Sequence, residues 1–146
     1  MEPQGFLQKV LEIQHGQMKG KRDRVHAVTE RTVGLLLVCT GWLMTTDTPP
    51  SGYLRWLLIA AIIGIAAISC KLQLNHSKAY LEIADVVRNL SDAFGLFEPG
   101  RYIPGRALYP KRWEKFGREH WRKYVLHHWI AIIGMAVVCI FAACSR

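Results

Sequence analysis

The sequence predicts an all-α membrane protein with three transmembrane helices and a long cytoplasmic helical hairpin between the second and the third. Three observations predict this fold class. Apolar residues make up 51% of the 146 residues and are concentrated in three blocks, 32–46, 56–70 and 124–144. All of the Lys and Arg residues lie outside these blocks. The interval between the second and third blocks has the residue pattern of long helices.

The first predicted element is a cytoplasmic N-terminal helix within residues 1–31. Apolar side chains recur at intervals of three and four from residue 6 onward, so the helix is expected to run over 6–31 and to lead into the first span. Gly16 and Gly20 interrupt this pattern. Glycine is a poor helix former, so we expect a break or a frayed segment at these two positions.

Residues 32–74 are predicted to form a transmembrane hairpin of two spans. A bilayer core needs roughly 20 apolar helical residues. The first block is shorter than that, so the first span must extend back to about Ala27. The second span fits if it runs from Tyr53 to Leu74, with its terminal basic side chains at the two surfaces. The connection Thr46–Gly52 contains two consecutive prolines and predicts a tight turn.

Residues 75–123 are predicted to form the cytoplasmic helical hairpin. No glycine or proline occurs from Ile65 to Phe94, so the second span is expected to continue as one long helix into the cytoplasm. Gly95 is the expected C-cap of that helix. The loop 95–110, which contains two Pro-Gly-Arg triplets, reverses the chain. A new helix is favoured after Pro110, because proline suits the first helical turn.

The third transmembrane helix is predicted over residues 124–146. Its first 21 residues, 124–144, contain no Lys, Arg, Asp or Glu. A soluble bundle is disfavoured, because a soluble helix normally keeps a polar face. A signal peptide is a further alternative for the first apolar block. That block begins more than thirty residues into the chain, and no small-residue cleavage site follows it, which disfavours this alternative.

The distribution of charge predicts the orientation in a bacterial inner membrane. Residues 1–32 carry six Lys and Arg and residues 71–124 carry eleven, whereas the connection 47–55 carries one. By the positive-inside rule the N-terminus is cytoplasmic and the C-terminus lies outside. The net charge of +8 is explained by this topology and by attraction to anionic lipid. Nucleic acid is not an expected partner, because acidic residues are mixed with the basic ones and no nucleic-acid motif is present.

Neither the cysteines nor any motif predicts catalysis. The cysteines lie within the spans or at their ends and none has C-x-x-C spacing, which excludes zinc, iron–sulfur and thioredoxin-like sites from the expected classes. They are Cys39, Cys70, Cys139 and Cys144. They are expected to act as small packing residues. No nucleophile–base pair, phosphate loop or paired-carboxylate motif is visible, so no enzyme activity, metal or cofactor is predicted.

The loop between the second and third spans supplies the candidate binding residues. Arg101 and Arg106, together with Tyr102 and Tyr109, are predicted to bind a phosphate group or an acidic partner, since the planar guanidinium group suits both. A cytoplasmic protein or a nucleotide would supply that group. The alternative is a solvated turn whose arginines cap helix carbonyls or pair with Glu98.

Glu30 is the first candidate for a functional charge in the membrane. If the first span begins near Ala27, this carboxylate lies at the membrane boundary, where Lys71 or Lys123 would be its partner. Intramembrane ionisable groups are candidates for function. The alternative is an interfacial glutamate in contact with water.

The only histidine cluster in the sequence is His120, His127 and His128. His120 lies about two helical turns from the others, roughly 11 Å, so all three cannot bind one metal ion. A protonation switch at His127 and His128 is therefore preferred to haem or metal binding. A polar interfacial pair is the simpler alternative.

Small residues indicate where helices pack. Ala60 and Gly64 lie four residues apart in the second span, and Gly134 begins a similar line in the third with Val138 and Ala142. Such steps let helices approach closely. They would pack the three spans of one chain or the spans of neighbouring chains. Oligomerisation is favoured, because three spans enclose a small interior.

The order of elements resembles that of the SLATT-type small bacterial membrane proteins and the RipA-like octameric membrane proteins. The N-terminal helix LEIQHGQMKGKRDRVHAVTERT, the tight membrane hairpin and the long helix KLQLNHSKAYLEIADVVRNL carry this resemblance. It covers most of the chain through hydropathy and helix order, although this chain adds a third span. It implies a multimeric effector that perturbs the membrane, in some cases in nucleotide-triggered antiviral defence. No functional residue is carried over.

Three functions are consistent with these features. The leading hypothesis is a non-enzymatic homo-oligomer that forms a pore or perturbs the bilayer, with the 75–123 hairpin as its sensing or assembly surface. The second is an accessory subunit of a larger membrane complex that docks a partner through the 95–110 loop. The third is a haem- or metal-binding redox subunit that uses the histidines.

Overall fold

Three long helices form the regular structure of the part of the chain that the structure describes. A computed structural model describes the backbone of residues 3–111 and 118–145, and the side chains of residues 9–111 and 121–145. Helix α1 spans Pro3–Thr45, α2 spans Tyr53–Ala93 and α3 spans Arg118–Cys144. The predicted all-α class is confirmed for the described residues. The helix start predicted after Pro110 falls largely on residues 112–117, outside the described residues.

Each of the three helices contains a segment that is long and apolar enough to cross a membrane. Within the described residues these segments lie in Lys9–Thr45, Tyr53–Ala93 and Trp121–Cys144. Only 22–28% of each apolar segment is buried inside the chain. Most of each apolar segment therefore faces outward. Three helices that could span a membrane support membrane association, whereas the orientation stays a prediction.

Helix α1 is continuous through the two glycines that predicted a break, and that prediction was wrong. Gly16 and Gly20 are both helical, within the uninterrupted helix Pro3–Thr45. Their neighbours in QHGQMKGKRDR include the strong helix formers Gln, Met, Lys and Arg. Each glycine costs a helix only about 1 kcal/mol relative to alanine. The helix-forming neighbours outweigh this cost.

Helix α2 continues past the apolar segment and ends where the sequence predicts. After Ala93 the chain forms the two hydrogen bonds of a Schellman motif, from Leu96 N to Ser91 O at 3.0 Å and from Gly95 N to Asp92 O at 2.7 Å. Gly95 has φ of 64°, a left-handed conformation that side chains rarely adopt. The predicted glycine C-cap is confirmed.

The chain folds into two compact units that each use separate parts of the sequence. One unit, here called the loop unit, comprises Met1–Asp23 and His76–Lys123. The other, here called the span unit, comprises Arg24–Asn75 and Tyr124–Arg146. Each of the three helices contributes one part to each unit.

The core of the span unit is built from all three helices. Leu36 and Leu43 of α1 and Ile62 of α2 pack with Cys139 of α3, and all four are at most 2% exposed. Small residues of α3 complete the cluster, which lets the helices approach closely. They are Ala136, Ala142 and Ala143. The thiol of Cys139 is free and acts as a packing group in this core, as expected for that cysteine.

Candidate functional site

The beginning of the 95–110 loop is held against the end of α2. Tyr102 donates a hydrogen bond from its hydroxyl to the carbonyl of Phe94 at 2.8 Å. Arg101 Nη1 lies 2.8 Å from Glu98 Oε2. The pairing of Arg101 with Glu98 matches the alternative interpretation of this loop, whereas the carbonyl after the helix is bound by Tyr102 and not by an arginine. Binding of a partner by Arg101 and Tyr102 stays a prediction.

Arg106 lies in a tight turn within the same loop. Its backbone N–H donates to the carbonyl of Ile103 at 3.1 Å, and its carbonyl accepts from Gly100 at 3.2 Å. The two residues Ile103 and Arg106 form an isolated antiparallel bridge. The Arg106 side chain is exposed. The backbone of this residue is therefore fixed, while its guanidinium group faces outward.

Tyr109 is directed to a different place from the other three predicted binding residues. Its backbone N–H donates to the carbonyl of Leu96 at 2.8 Å. Its ring packs edge-on against Phe97, with centroids 5.9 Å apart. This contact brings the end of the loop back over its beginning, so that both rings form a wall of a cavity in the loop unit.

The cavity has a volume of about 460 Å³, within the range typical of small-molecule sites. Its lining combines apolar, aromatic and basic side chains from α1, α2 and the loop. The lining residues are His15, Met18, Arg22, Tyr80, Ala84, Val87, Arg88, Ser91, Phe97 and Tyr109. We take this basic–aromatic cavity as the candidate ligand site.

A second aromatic pair holds another lining residue of the cavity, Tyr80. The ring of Tyr80 stacks on Trp121, with centroids 3.7 Å apart and an interplanar angle of 9°. Trp121 is 5% exposed and donates its indole N–H to the hydroxyl of Ser77. Such contacts fix the orientation of Tyr80 before any ligand arrives.

The positive charge of the cavity comes from its rim. Arg22 and Arg88 line the cavity and have side chains that are 55% and 48% exposed. Arg88 Nη2 lies 3.5 Å from Asp85 Oδ1. Arg22 Nε lies farther from its acidic neighbour, at 4.0 Å from Asp23 Oδ1. Arg22 and Arg88 therefore place positive charge beside the cavity.

The span unit contains a buried polar network centred on Thr29. The Thr29 hydroxyl donates to the carbonyl of Val25 at 3.0 Å and accepts from Gln73 Nε2 at 2.7 Å. Its third contact is His128 Nδ1, at 3.0 Å. Gln73 is fully buried, and Thr29 is 8% exposed. The network joins α1, α2 and α3 through one hydroxyl group.

His128 belongs to a cluster of three rings. The ring centroid of His128 lies 4.7 Å from that of His26 and 4.6 Å from that of Tyr124. His26 and Tyr124 are themselves 5.5 Å apart. The structure therefore adds His26 as a neighbour of His128, and the side chain of His127 is exposed. The protonation switch at His127 and His128 stays a prediction.

Sequence reasoning missed the hydroxyl groups that join the helices. Besides Thr29, the side chain of Thr32 contacts Ser69 at 2.8 Å, and both are buried. The signal was present in α1, where Thr29, Thr32, Leu36, Thr40 and Leu43 recur at intervals of three and four and are all buried. This spacing marks one helix face. Hydroxyl residues on that face are the sign of polar contacts between helices.

The other predicted site residues lie on the outside of the span unit. Glu30, the predicted buried charge, is exposed. Ala60 and Gly134 are exposed and Gly64 is half-buried. An added Cβ atom at Gly64 or Gly134 would meet no atom within 4 Å. Of the line that Gly134 begins, only Ala142 packs into the core.

Among the described residues, no group of three or more His, Cys, Asp and Glu side chains is placed to hold a metal ion. The side chain of His120 lies outside the described residues. No family model matches the sequence, and no curated protein or solved structure shows significant similarity to the chain.

Proposed function

We propose that this protein is a non-enzymatic homo-oligomer of the bacterial inner membrane that perturbs or permeates the bilayer. The observation that carries this proposal is the outward position of the small residues Ala60 and Gly134, together with the open space beside the half-buried Gly64. None of the three belongs to the hydrophobic cluster that packs the helices of one chain. They are available to pack the helices of neighbouring chains.

The geometry of α2 and α3 supports this assignment. Ala60 and Gly64 lie one turn apart on the same side of α2, and open space surrounds the Cβ position of Gly64. Lipid-facing positions are ordinarily filled by large apolar side chains, whereas small residues allow close contact between helix backbones. The small residues Ala136 and Ala143 already serve that purpose inside the chain. Ala60, Gly64 and Gly134 form a second set of small residues, which lies outside this core cluster.

A path for ions requires more than one chain. At the level of Leu36, Ile62 and Cys139 the interior of the span unit is filled by side chains that are at most 2% exposed. Native-like packing leaves little space for water between such side chains. Permeation along the axis of a single chain is therefore disfavoured. A pore would form between several copies, or the assembly would disturb the surrounding lipid.

The decisive experiment measures the mass of the detergent-solubilised complex, corrected for bound detergent, and ion leakage after expression. We expect several identical chains per complex and a measurable leak. Gly64→Leu and Gly134→Leu should lower both, because each adds bulk to a close helix contact. Ala61→Leu is the matched control, since Ala61 is also exposed on α2 but faces a different direction.

Two results would contradict the proposed function. A monomer without leakage under any condition would exclude a pore-forming oligomer. A single copy bound in fixed ratio to a different protein would identify an accessory subunit instead. In that case Arg101→Ala/Arg106→Ala is expected to release the partner, because the 95–110 loop would be the docking surface.

A further inference from the structure

We infer that the basic–aromatic cavity of the loop unit binds a small molecule that combines a flat ring with an anionic group. This ligand assignment goes beyond the proposed function and does not depend on the number of chains in the complex. It rests on three features of the cavity: its ordered aromatic walls, its apolar floor and the sign of the charge at its rim.

The walls of the cavity are formed in advance. Tyr80 is held by its stack on Trp121, and Phe97 and Tyr109 hold one another edge-on. Two backbone-anchored features maintain the second pair, the Schellman turn at Gly95 and the hydrogen bond from Tyr109 N to Leu96 O. Rigid aromatic walls lower the ordering cost of binding. They favour a flat ring, which can stack or pack edge-on against them.

The floor of the cavity is apolar. Met18, Ala84 and Val87 line it, and each is half-buried. The one hydroxyl in this region, that of Ser91, already donates to the carbonyl of Val87 at 2.8 Å. A free inorganic anion would lose its hydration over such a floor with little return. The floor therefore selects a ligand that has an apolar body.

The rim selects a negative group. Arg22, Arg88 and His15 line the cavity, and its described lining contains no acidic residue. Asp85 lies 3.5 Å from Arg88 and Asp23 lies 4.0 Å from Arg22, so Arg22 is the less closely paired of the two and the stronger candidate to contact the ligand anion. A guanidinium group binds phosphate and carboxylate through two parallel hydrogen bonds. A flat-ring ligand that carries a phosphate group and one that carries a carboxylate group would both accept these two hydrogen bonds.

Defined probes distinguish a ligand that carries a phosphate group from one that carries a carboxylate group. The full chain is placed in nanodiscs of phosphatidylcholine, which has no net charge, and binding is followed by saturation-transfer NMR of the probe, with empty nanodiscs as background. Adenosine 5′-monophosphate tests a ring phosphate and indole-3-acetate tests a ring carboxylate. Adenosine alone and inorganic phosphate alone test whether both halves are needed. We expect one of the two anionic rings to bind at least about tenfold more tightly than either half.

Variants of the cavity complete the test. Arg22→Ala should weaken binding by at least about tenfold, because it removes a charge-assisted contact. Ala84→Phe should abolish binding by filling the cavity while every charge is kept. Lys21→Ala is the matched control, since it removes one positive charge beside Arg22 from a side chain that does not line the cavity. Circular dichroism confirms that each variant is folded.

Each outcome decides the ligand assignment. Binding of the phosphate probe alone identifies a nucleotide-like ligand, and binding of indole-3-acetate alone identifies an aromatic carboxylate. Absence of binding by both probes at millimolar concentration would overturn the assignment. So would equal loss in Arg22→Ala and Lys21→Ala, which would indicate general electrostatic attraction. Because oligomer mass and leakage are measured separately, failure here leaves the proposed function to its own test.

Discussion

At the scale of single residues, the Thr29 hydroxyl has three polar contacts. It lies within hydrogen-bonding distance of Val25 O, Gln73 Nε2 and His128 Nδ1. A hydroxyl group has one hydrogen to donate and two lone pairs that accept. When Thr29 donates to Val25 O, its lone pairs can accept from Gln73 Nε2 and from His128 in the tautomer that carries hydrogen on Nδ1. All three contacts are then satisfied together.

Thr29→Val tests this network, because it keeps the shape of the side chain and removes the hydroxyl. It leaves Gln73 Nε2 and His128 Nδ1 without this hydrogen-bond acceptor in a buried site. We expect the free energy of unfolding to fall by about 1 kcal/mol, within the range measured for hydrogen bonds between transmembrane helices. Titration of the purified protein with dodecyl sulfate in mixed micelles measures the change.

Thr45→Val is the control for that experiment. Thr45 lies on the same helix, and its exposed hydroxyl donates to the carbonyl of Gly41 in the preceding turn. Its removal leaves no buried donor on another helix, so the change in unfolding free energy should be much smaller. Equal effects of the two substitutions would show that the Thr29 contacts do not stabilise the span unit.

The residues of the candidate site were predictable only in part. The loop sequence indicated a basic and aromatic site, and Tyr109 does line the cavity. The other contributors, such as Arg22 and Tyr80, are distant in sequence and belong to separate helices. Their proximity depends on how α1 and α2 face one another. No local pattern in one chain segment contains that information.

At the scale of elements, the end of α2 was predicted correctly from the sequence, whereas the break predicted in the middle of α1 was wrong. Gly95 ends α2 because its left-handed φ of 64° is a requirement of the turn. Gly16 and Gly20 do not interrupt α1, because a helix tolerates an isolated glycine at modest cost. The same residue type therefore has different effects, and the local hydrogen bonding decides between them.

Gly16→Ala and Gly20→Ala test whether α1 is continuous through these two positions. An added Cβ atom at either position meets no atom within 4 Å. Each substitution should stabilise the helix by up to about 1 kcal/mol. Hydrogen–deuterium exchange of peptides from this part of α1 should become slower. Faster exchange in Gly16→Ala and Gly20→Ala would instead indicate that α1 is interrupted there.

Gly95→Ala should make exchange in the loop that follows α2 faster, because alanine rarely adopts the left-handed φ of Gly95.

At the scale of the whole molecule, hydropathy was the strongest signal. Three apolar segments appear as three long helices because the bilayer leaves no other way to satisfy the backbone of an uninterrupted apolar stretch. The orientation is a property of the charged residues and the insertion machinery. It has to be measured in cells.

The cysteines provide a direct test of the predicted orientation. Cys144 is exposed, whereas Cys39 and Cys70 are half-buried and Cys139 is buried. If the C-terminus lies outside, a membrane-impermeant maleimide should label Cys144 in intact cells, and Cys144→Ser should remove the signal. A cysteine placed at the exposed Lys19 should react only after lysis. The reverse pattern would show that the chain is inserted in the opposite sense.

The division of both units along the chain has a consequence for how the protein is made. The loop unit uses Met1–Asp23 but needs residues up to Lys123, and the span unit lacks its last part until synthesis has passed Tyr124. The ribosome adds about 5–20 residues each second. The first two helices are therefore complete several seconds before either core can close. The hydrogen bond from Gln73 to Thr29 joins α1 and α2, so it can form in that interval, whereas the contact of Thr29 with His128 has to follow the synthesis of α3.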